Sequence, residues 1–194
     1  MKHLKMIATV AVTAMAALVV FGAGSASATT MEVGGVTQNQ SVTTLGSVKA
    51  SSSMVLSRTD GSLANTCTEF VIEGKSLSPF TGTRVSGSGT TLAFGGCTRP
   101  VTAHATGLLH GEHIAGTTDG TMTSSGAEVT VGSPFGTLNC KTGAGVDIGR
   151  LTGTATGHAE LHINAVINCG FLVPSATMKA DVTVTSPTGA AASA

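Results

Sequence analysis

The sequence HAELH holds the side chains best suited to chemistry in this 194-residue chain. Because residues of a β-strand alternate between its two faces, His158, Glu160 and His162 would share one face. Imidazole and carboxylate groups bind Zn²⁺, but His158 and His162 would stand about 13 Å apart, too far to hold one ion together. A metal site would therefore need ligands from a second strand, for which His110 and Glu112 are the candidates.

The alternative interpretation of these groups is the solvated face of a strand. We favour it because a closed zinc site needs four converging ligands, so we predict no metal and no cofactor. The glycine-rich segment Gly143–Gly149 has the look of a dinucleotide-binding loop. That loop must lie between a strand and a helix, however, and no helical pattern follows it here. We interpret the segment as a long turn or bulge.

Enzymatic motifs are missing from the sequence. It contains neither the G-x-S-x-G turn of serine hydrolases nor the G-x-x-x-x-G-K-[ST] phosphate loop. It also has no Trp and no Tyr, the side chains on which carbohydrate sites usually stack sugar rings. We therefore predict that the protein is not an enzyme, and we assign no catalytic residue.

Residues 1–28 have the features of a signal peptide. Lys2 and Lys5 precede an apolar segment, and Ala26-Ser27-Ala28 is a small-residue cleavage site. We expect export, with the product secreted or attached to the cell surface and without a transmembrane anchor. The formal net charge is zero and no basic stripe occurs, so nucleic acid is not an expected partner.

The four cysteines all follow the predicted cleavage site. An even number of cysteines in an exported chain indicates two disulfides, for which three pairings are possible. Their spacing favours the sequential pairing, Cys67 with Cys97 and Cys140 with Cys169, because it closes two loops of nearly equal length. A cysteine zinc site is disfavoured because no two cysteines have C-x2-4-C spacing.

Apolar and polar residues alternate along several segments of the second half, which is typical of strands with one buried face. The strands are expected at Ala127–Val131, Gly136–Cys140, Ile148–Ala155, His158–Cys169 and Thr177–Ser186. In the last of them Met178, Ala180, Val182 and Val184 should face the core, and Lys179, Asp181 and Thr183 the solvent.

Shorter strands and turns are expected in the first half, including a glycine-rich hairpin at Val85–Thr90. Together these patterns predict an all-β fold, an antiparallel sandwich or barrel-like sandwich with two disulfides. We expect it to form one domain over residues 29–187, with a disordered tail at residues 188–194.

Four segments carry a resemblance to known proteins. They are TSSGAEVTV (Thr123–Val131), CKTGAGVDIGRLTG (Cys140–Gly153), NAVINCGFLVPSA (Asn164–Ala176) and VTSP (Val184–Pro187). With them the chain resembles a group of small exported bacterial proteins, many from actinobacteria, some of which are labelled protein activator of alkane oxidation. The shared residues are turns and cysteines, so the resemblance implies no enzyme chemistry and transfers no functional residues.

Two functions follow from these observations. The first is a structural or interaction protein outside the cell, which binds an envelope component or associates with itself. The alternative is a secreted binder of a small apolar molecule, or an activator of hydrocarbon utilisation. A binder needs an apolar cavity within its β-structure, whereas a structural protein needs exposed edges or apolar patches.

Overall fold

The computed structural model describes residues 29–38, 43–48, 52–76, 84–134, 136–154, 157–187 and 190–193. Strands make up almost all of the regular structure, and no helix occurs within these ranges. The predicted all-β fold is therefore confirmed. The predicted signal peptide, residues 1–28, lies outside the described residues.

Thirteen strands are present in the described chain. They are β1 (Thr30–Val33), β2 (Val36–Thr37), β3 (Thr43–Val48), β4 (Met54–Arg58), β5 (Asn65–Ser76), β6 (Val85–Cys97), β7 (Val101–His113), β8 (Gly120–Ser133), β9 (Gly136–Lys141), β10 (Val146–Thr152), β11 (Glu160–Ile167), β12 (Ala176–Ser186) and β13 (Ala190–Ser193). The five strands expected in the second half correspond to β8 to β12, but β8 begins at Gly120, seven residues before the expected start.

Ten of these strands form one antiparallel sheet that closes on itself. Its order is β10-β11-β12-β3-β5-β6-β7-β8-β9, and β4 pairs with both β12 and β5. Closure comes from a further pairing between β10 and β8, in which Val146 lies opposite Ser124 and Leu151 opposite Gly120. The fold is thus a barrel, in which closure gives most edge strands a partner.

Two positions around the barrel are each filled by two short strands. Strands β3 and β4 both lie between β12 and β5. Each of the two pairs with β12 on one side and with β5 on the other, at different levels of the barrel. Between β8 and β11, the long strand β8 pairs first with β10 and then with β9. A single bridge between Lys141 and Asn168 links β9 to the residue that follows β11.

A separate three-stranded sheet, here called the cap sheet, consists of β13, β1 and β2 in that order. Gly34 and Gly35 make the tight turn between β1 and β2 with positive φ angles of 61° and 75°. Residues 190–193, which the sequence placed in a disordered tail, instead form β13. Its backbone pairs with β1 from Thr30 opposite Ser193 to Val33 opposite Ala190.

Strand β12 faces the core as its sequence predicts. Ala180, Val182 and Val184 are at most 5% exposed, whereas Lys179 and Asp181 are exposed. Met178 is half-buried and packs against the core, and Thr183 is half-buried on the outer face. The partner strand β11 alternates in the same way, with Leu161, Ile163, Ala165 and Ile167 buried.

Both disulfides lie at the same end of the barrel, here called the cysteine end. The structure confirms the predicted pairs, Cys67 with Cys97 and Cys140 with Cys169. The interior is filled with large side chains here. Phe70 and Phe94 pack together with ring centroids 5.3 Å apart and ring planes tilted by 38°, and Met54 is 1% exposed.

The predicted hairpin at Val85–Thr90 is wrong, because this segment is the first half of the continuous strand β6. The glycines there serve close packing between neighbouring strands rather than a turn. A Cβ atom on Gly89 would stand 2.8 Å from the carbonyl oxygen of Thr106 on β7, and one on Gly87 would stand 3.1 Å from that of Lys75 on β5. Glycine therefore marks places where only a hydrogen atom fits.

Candidate functional site

The polar face predicted for the HAELH segment exists at Glu160 and His162, whereas His158 lies outside the strand. Ala159, Leu161 and Ile163 are buried, so Glu160 and His162 lie on the outer surface of β11. Nδ1 of His162 lies 2.8 Å from Oδ1 of Asp181 on β12, and its Nε2 lies 3.7 Å from Oε2 of Glu160. His158 precedes the strand, and its Nδ1 lies 3.0 Å from the backbone carbonyl oxygen of Val184.

His110 and Glu112 do not join this face. Glu112 on β7 pairs with Thr121 on β8, and Arg150 on β10 lies between Thr121 and His162. Three strand spacings thus separate Glu112 from His162, about 14 Å. In the described ranges no group of three or more His, Cys, Asp or Glu side chains is arranged to hold a metal ion.

Each of these polar side chains instead contacts a neighbour on the outside of the barrel. Glu112 forms an ion pair with Arg84, with 3.0 Å between Oε1 and a guanidinium nitrogen. Oγ of Ser86 lies 2.9 Å from Nδ1 of His110, and Arg150 pairs with Asp119. Exposed ion pairs of this kind contribute little to stability, and their arrangement is that of a solvated surface.

The glycine-rich segment Gly143–Gly149 forms a turn and a bulge, as its sequence predicts. The register between β10 and β8 shifts between Asp147 and Gly149. Gly149 has a φ of 139°, and a Cβ atom there would collide with the carbonyl oxygen of His162. The bulge therefore requires glycine for conformation and for space.

A half-open cavity of about 160 Å³ lies at the end of the barrel opposite the disulfides. This cavity end is formed where β5, β7, β10 and β12 finish and where β6, β8 and β11 begin. The large apolar side chains in its lining are Met31, Ile72, Leu109, Met122, Leu151 and Leu161. Val85, Val182 and Val184 add to this lining, so the wall of the cavity is mainly hydrocarbon.

Glycine is the reason that the barrel is hollow at this end. The lining includes Gly46, Gly74, Gly87, Gly111 and Gly120, contributed by five different strands. A Cβ atom on Gly74 would lie 3.4 Å from the carbonyl oxygen of Ser88, and one on Gly111 would lie 3.3 Å from the sulfur of Met122. A side chain at Gly74 would extend into the cavity, whereas Phe70 and Met54 fill the interior at the cysteine end.

The buried polar side chain of Thr29 in the cavity lining is already engaged. Oγ1 of Thr29, which is 4% exposed, accepts a hydrogen bond of 3.1 Å from the backbone N–H of His113. Within the described part of the chain, every buried side-chain nitrogen and oxygen has a hydrogen-bond partner. A polar ligand would lose its own hydrogen bonds to water on binding here, whereas an apolar ligand has none to lose.

The cap sheet borders this cavity through Met31. Met31 on β1 lines the cavity and packs, with Leu151, against the buried pair Ala159 and Val184. This small cluster is separate from the main core. The cap sheet is also separate from the hydrogen-bonded ladder of the barrel, so its attachment depends on these apolar contacts and on the hydrogen bond from His113 to Thr29.

The sequence interpretation missed this cavity. Alternation of apolar and polar residues identifies strands, but an inward-facing glycine carries no hydrophobic signal. The available signal was the presence of isolated glycines inside strand patterns, which indicates a bulge or a close approach. That signal does not tell which glycines border an empty volume, because the answer depends on side chains from distant strands.

A second apolar feature lies on the surface at the cysteine end. In the turn between β11 and β12, Phe171 is 99% exposed and Leu172 is 61% exposed. The turn is held by hydrogen bonds from Val173 N to Gly170 O and from Cys169 N to Val173 O, of 3.2 and 3.1 Å. Cys169 is also bonded to Cys140. The backbone of the turn that carries Phe171 and Leu172 is therefore held in place by a disulfide as well as by hydrogen bonds.

In the part of the chain that the structure describes, no helix combines the length and the hydrophobicity needed to cross a membrane. Comparison of the chain with protein families, with curated proteins and with solved structures gives no match. The function is therefore argued from the geometry of the barrel itself.

Proposed function

We propose that this protein is a secreted, non-enzymatic β-barrel that binds a small apolar molecule in its interior. The observation that carries the proposal is the cavity of about 160 Å³ at the glycine-lined end of the barrel.

The free-energy cost of an unfilled cavity supports the proposal that a ligand binds there. Empty apolar space forgoes dispersion contacts on its lining, which costs on the order of 20 cal/mol per Å³ in engineered examples. The barrel could have filled this space by a single change from Gly74 or Gly111 to a larger apolar residue. Apolar molecules enter such spaces because their transfer from water is favourable and displaces no hydrogen-bonded group.

The two disulfides fit a protein that acts outside the cytoplasm. They cross-link the chain at the packed end of the barrel. The cavity end has no disulfide and is bordered by the cap sheet. Ion pairs such as Arg84 with Glu112 and Lys141 with Glu128 lie on the outer surface. These features suit a carrier or scavenger that works in an oxidising, aqueous compartment.

Xenon provides a direct test, since it binds apolar cavities without regard to ligand shape. We expect the ¹²⁹Xe resonance to shift on titration with the protein, in a saturable manner. The variant Gly74→Leu should abolish the shift because its side chain would occupy the cavity. Gly143→Leu is the matched control, since a Cβ atom there meets only Val146, at 3.7 Å. A wild-type protein that leaves the xenon resonance unchanged would exclude the proposal.

A second candidate function is association through the turn that presents Phe171 and Leu172. Exposing a complete Phe side chain to water is unfavourable, and apolar patches on exported proteins commonly mark contact sites. The braced backbone of this turn supports the idea, because the two side chains are held outward. The partner would be a second copy of the chain or a component of the cell envelope.

Light scattering over a range of concentrations tests self-association. We expect the wild-type protein to form larger species as its concentration rises, and the double variant Phe171→Ser/Leu172→Ser to remain monomeric. Val36→Ser is the control, because Val36 is also an exposed apolar residue, at 64% exposure, but lies on the cap sheet. Equal association by all three proteins would rule out this turn as the contact.

A further inference from the structure

We propose that the ligand of the barrel cavity is a compact aromatic molecule of about benzene size, selected by the sulfur atoms of Met31 and Met122. This inference depends on the proposed function, since it names the class of ligand for the same cavity. It rests on three properties of the cavity: its volume, the limits to its length and the position of its two methionines.

The volume restricts the size of the ligand. An engineered apolar cavity of about 150 Å³, lined by Leu, Ile and Phe, binds benzene. The cavity here has about 160 Å³, so a single six-membered ring, bare or with one small substituent, would fill it. A fused bicyclic ring would overfill a space of this size and would force the lining apart.

The core below the cavity restricts the length of the ligand. Ile72 lines the cavity, but Phe70, two residues nearer the cysteine end on the same strand, is 1% exposed and packs against Phe94. Phe70 and Phe94 fill the interior at this level, so an extended chain could not reach deeper towards the disulfides. A compact shape is therefore favoured over a long alkyl chain.

The two methionines favour an aromatic ligand over a saturated one. Met122 lies on β8, and its sulfur lies 3.3 Å from the position of a Cβ atom on Gly111, which also lines the cavity. Met31 reaches the same cavity from the cap sheet. Thioether sulfur makes favourable contacts with ring edges, each worth about 0.3–1.5 kcal/mol, and the flexible side chain adapts to the ring.

Methionine also suits a site whose wall combines branched apolar side chains with five glycines. The glycines in the wall provide little surface for contact with a ligand. The branched side chains of Leu and Val adapt less readily to ligands of different shape. The unbranched thioether can close against a flat ring from the side of the cap and from the side of β8. Met31 and Met122 thus become the specificity-determining residues of the cavity.

Calorimetric titration with benzene and cyclohexane tests the inference, since the two molecules have the same number of carbon atoms and similar size. We expect benzene to bind wild-type protein about threefold to tenfold more tightly than cyclohexane, the factor that one or two sulfur contacts provide. Naphthalene and dodecane should give no saturable heat. The variants Met31→Leu and Met122→Leu keep the side-chain volume nearly constant, and their double variant should bring the benzene-to-cyclohexane affinity ratio close to one.

The outcomes separate this inference from the proposed function. If xenon binds to the wild-type protein but cyclohexane or dodecane binds better than benzene, the cavity is a binding site and the aromatic assignment is wrong. If the affinity ratio is unchanged in the double methionine variant, the sulfur atoms do not select the ligand. If xenon fails to bind as well, the proposed function itself is overturned.

Discussion

Cγ1 of Val182 lies 2.7 Å from the position that a Cβ atom on Gly46 would occupy. The two residues belong to the paired strands β12 and β3, and Val182 is fully buried. The valine cannot move away without disturbing the core, so position 46 accepts only a hydrogen atom. Gly74 lines the same cavity but has more room, with its nearest contacts at 3.4 and 3.5 Å.

The first prediction compares Gly46→Ala with Gly74→Ala. The methyl group at position 46 collides with Val182, and we expect a loss of about 1–3 kcal/mol in the free energy of unfolding, as for other overpacked cores. The methyl group at position 74 meets ordinary contacts, and removal of a strand glycine should stabilise by up to about 1 kcal/mol. Urea denaturation measures both values, and equal effects would mean that the two glycines are equally crowded.

The second prediction concerns the two faces of β12. Val182→Asn places an unpaired amide in the core and should cost more than 3 kcal/mol or prevent folding, because a buried polar group loses its bonds to water. Thr183→Asn, next in the chain but on the outer face, should cost less than about 1 kcal/mol. The thermal midpoints of the two variants measure both losses, and similar losses would contradict the assignment of Val182 to the core and of Thr183 to the outer face.

The third prediction concerns the disulfides. Each closes a loop of 29 or 30 residues, for which the chain-entropy relation gives about 3.6 kcal/mol. Replacing Cys140 and Cys169 by Ala should cost more than replacing Cys67 and Cys97, because Cys140 and Cys169 are both buried whereas Cys97 is only half-buried. Urea midpoints of the two double variants test the order. A smaller loss for the Cys140–Cys169 pair would contradict it.

The fourth prediction concerns pH and the turn after β4. Hydrogen bonds from the Ser62 hydroxyl and, secondly, from the Ser62 backbone N–H hold the pKa of the Asp60 carboxyl below its ordinary value. A lowered folded-state pKa stabilises the turn above the unfolded-state pKa, and this contribution is lost as the pH falls through the folded value. Ser62→Ala should raise the pKa of Asp60 in an NMR titration. An unchanged titration midpoint would show that the serine is not the cause.

A strand could be predicted from the sequence where apolar side chains on one face alternate with polar side chains on the other. Met178, Ala180, Val182 and Val184 alternate with polar residues, so the hydrophobic effect specifies which way β12 faces. The disulfide pairing was predictable for a related reason, since the spacing of the cysteines is visible in the chain. Local pattern and spacing were sufficient for these features.

The cavity and the closure of the barrel were not predictable in this way. The pairing of β8 with β10 depends on strand curvature and on a bulge at Gly149, which no periodicity reports. The segment from Val85 to Thr90 was interpreted as a hairpin because its glycines resemble turn residues. Their actual role, close packing against β5 and β7, involves residues that are distant in the sequence.

The pairing of β1 with β13 determines the order in which parts of the molecule should become mobile. This ladder joins the two ends of the described chain, so its formation closes the longest loop in the protein and gains only a few backbone hydrogen bonds. Such a contact forms late and opens early. Amide protons of β1 should therefore exchange with deuterium well before those of β11, and the rate of that opening would set the residence time of any molecule held beside it.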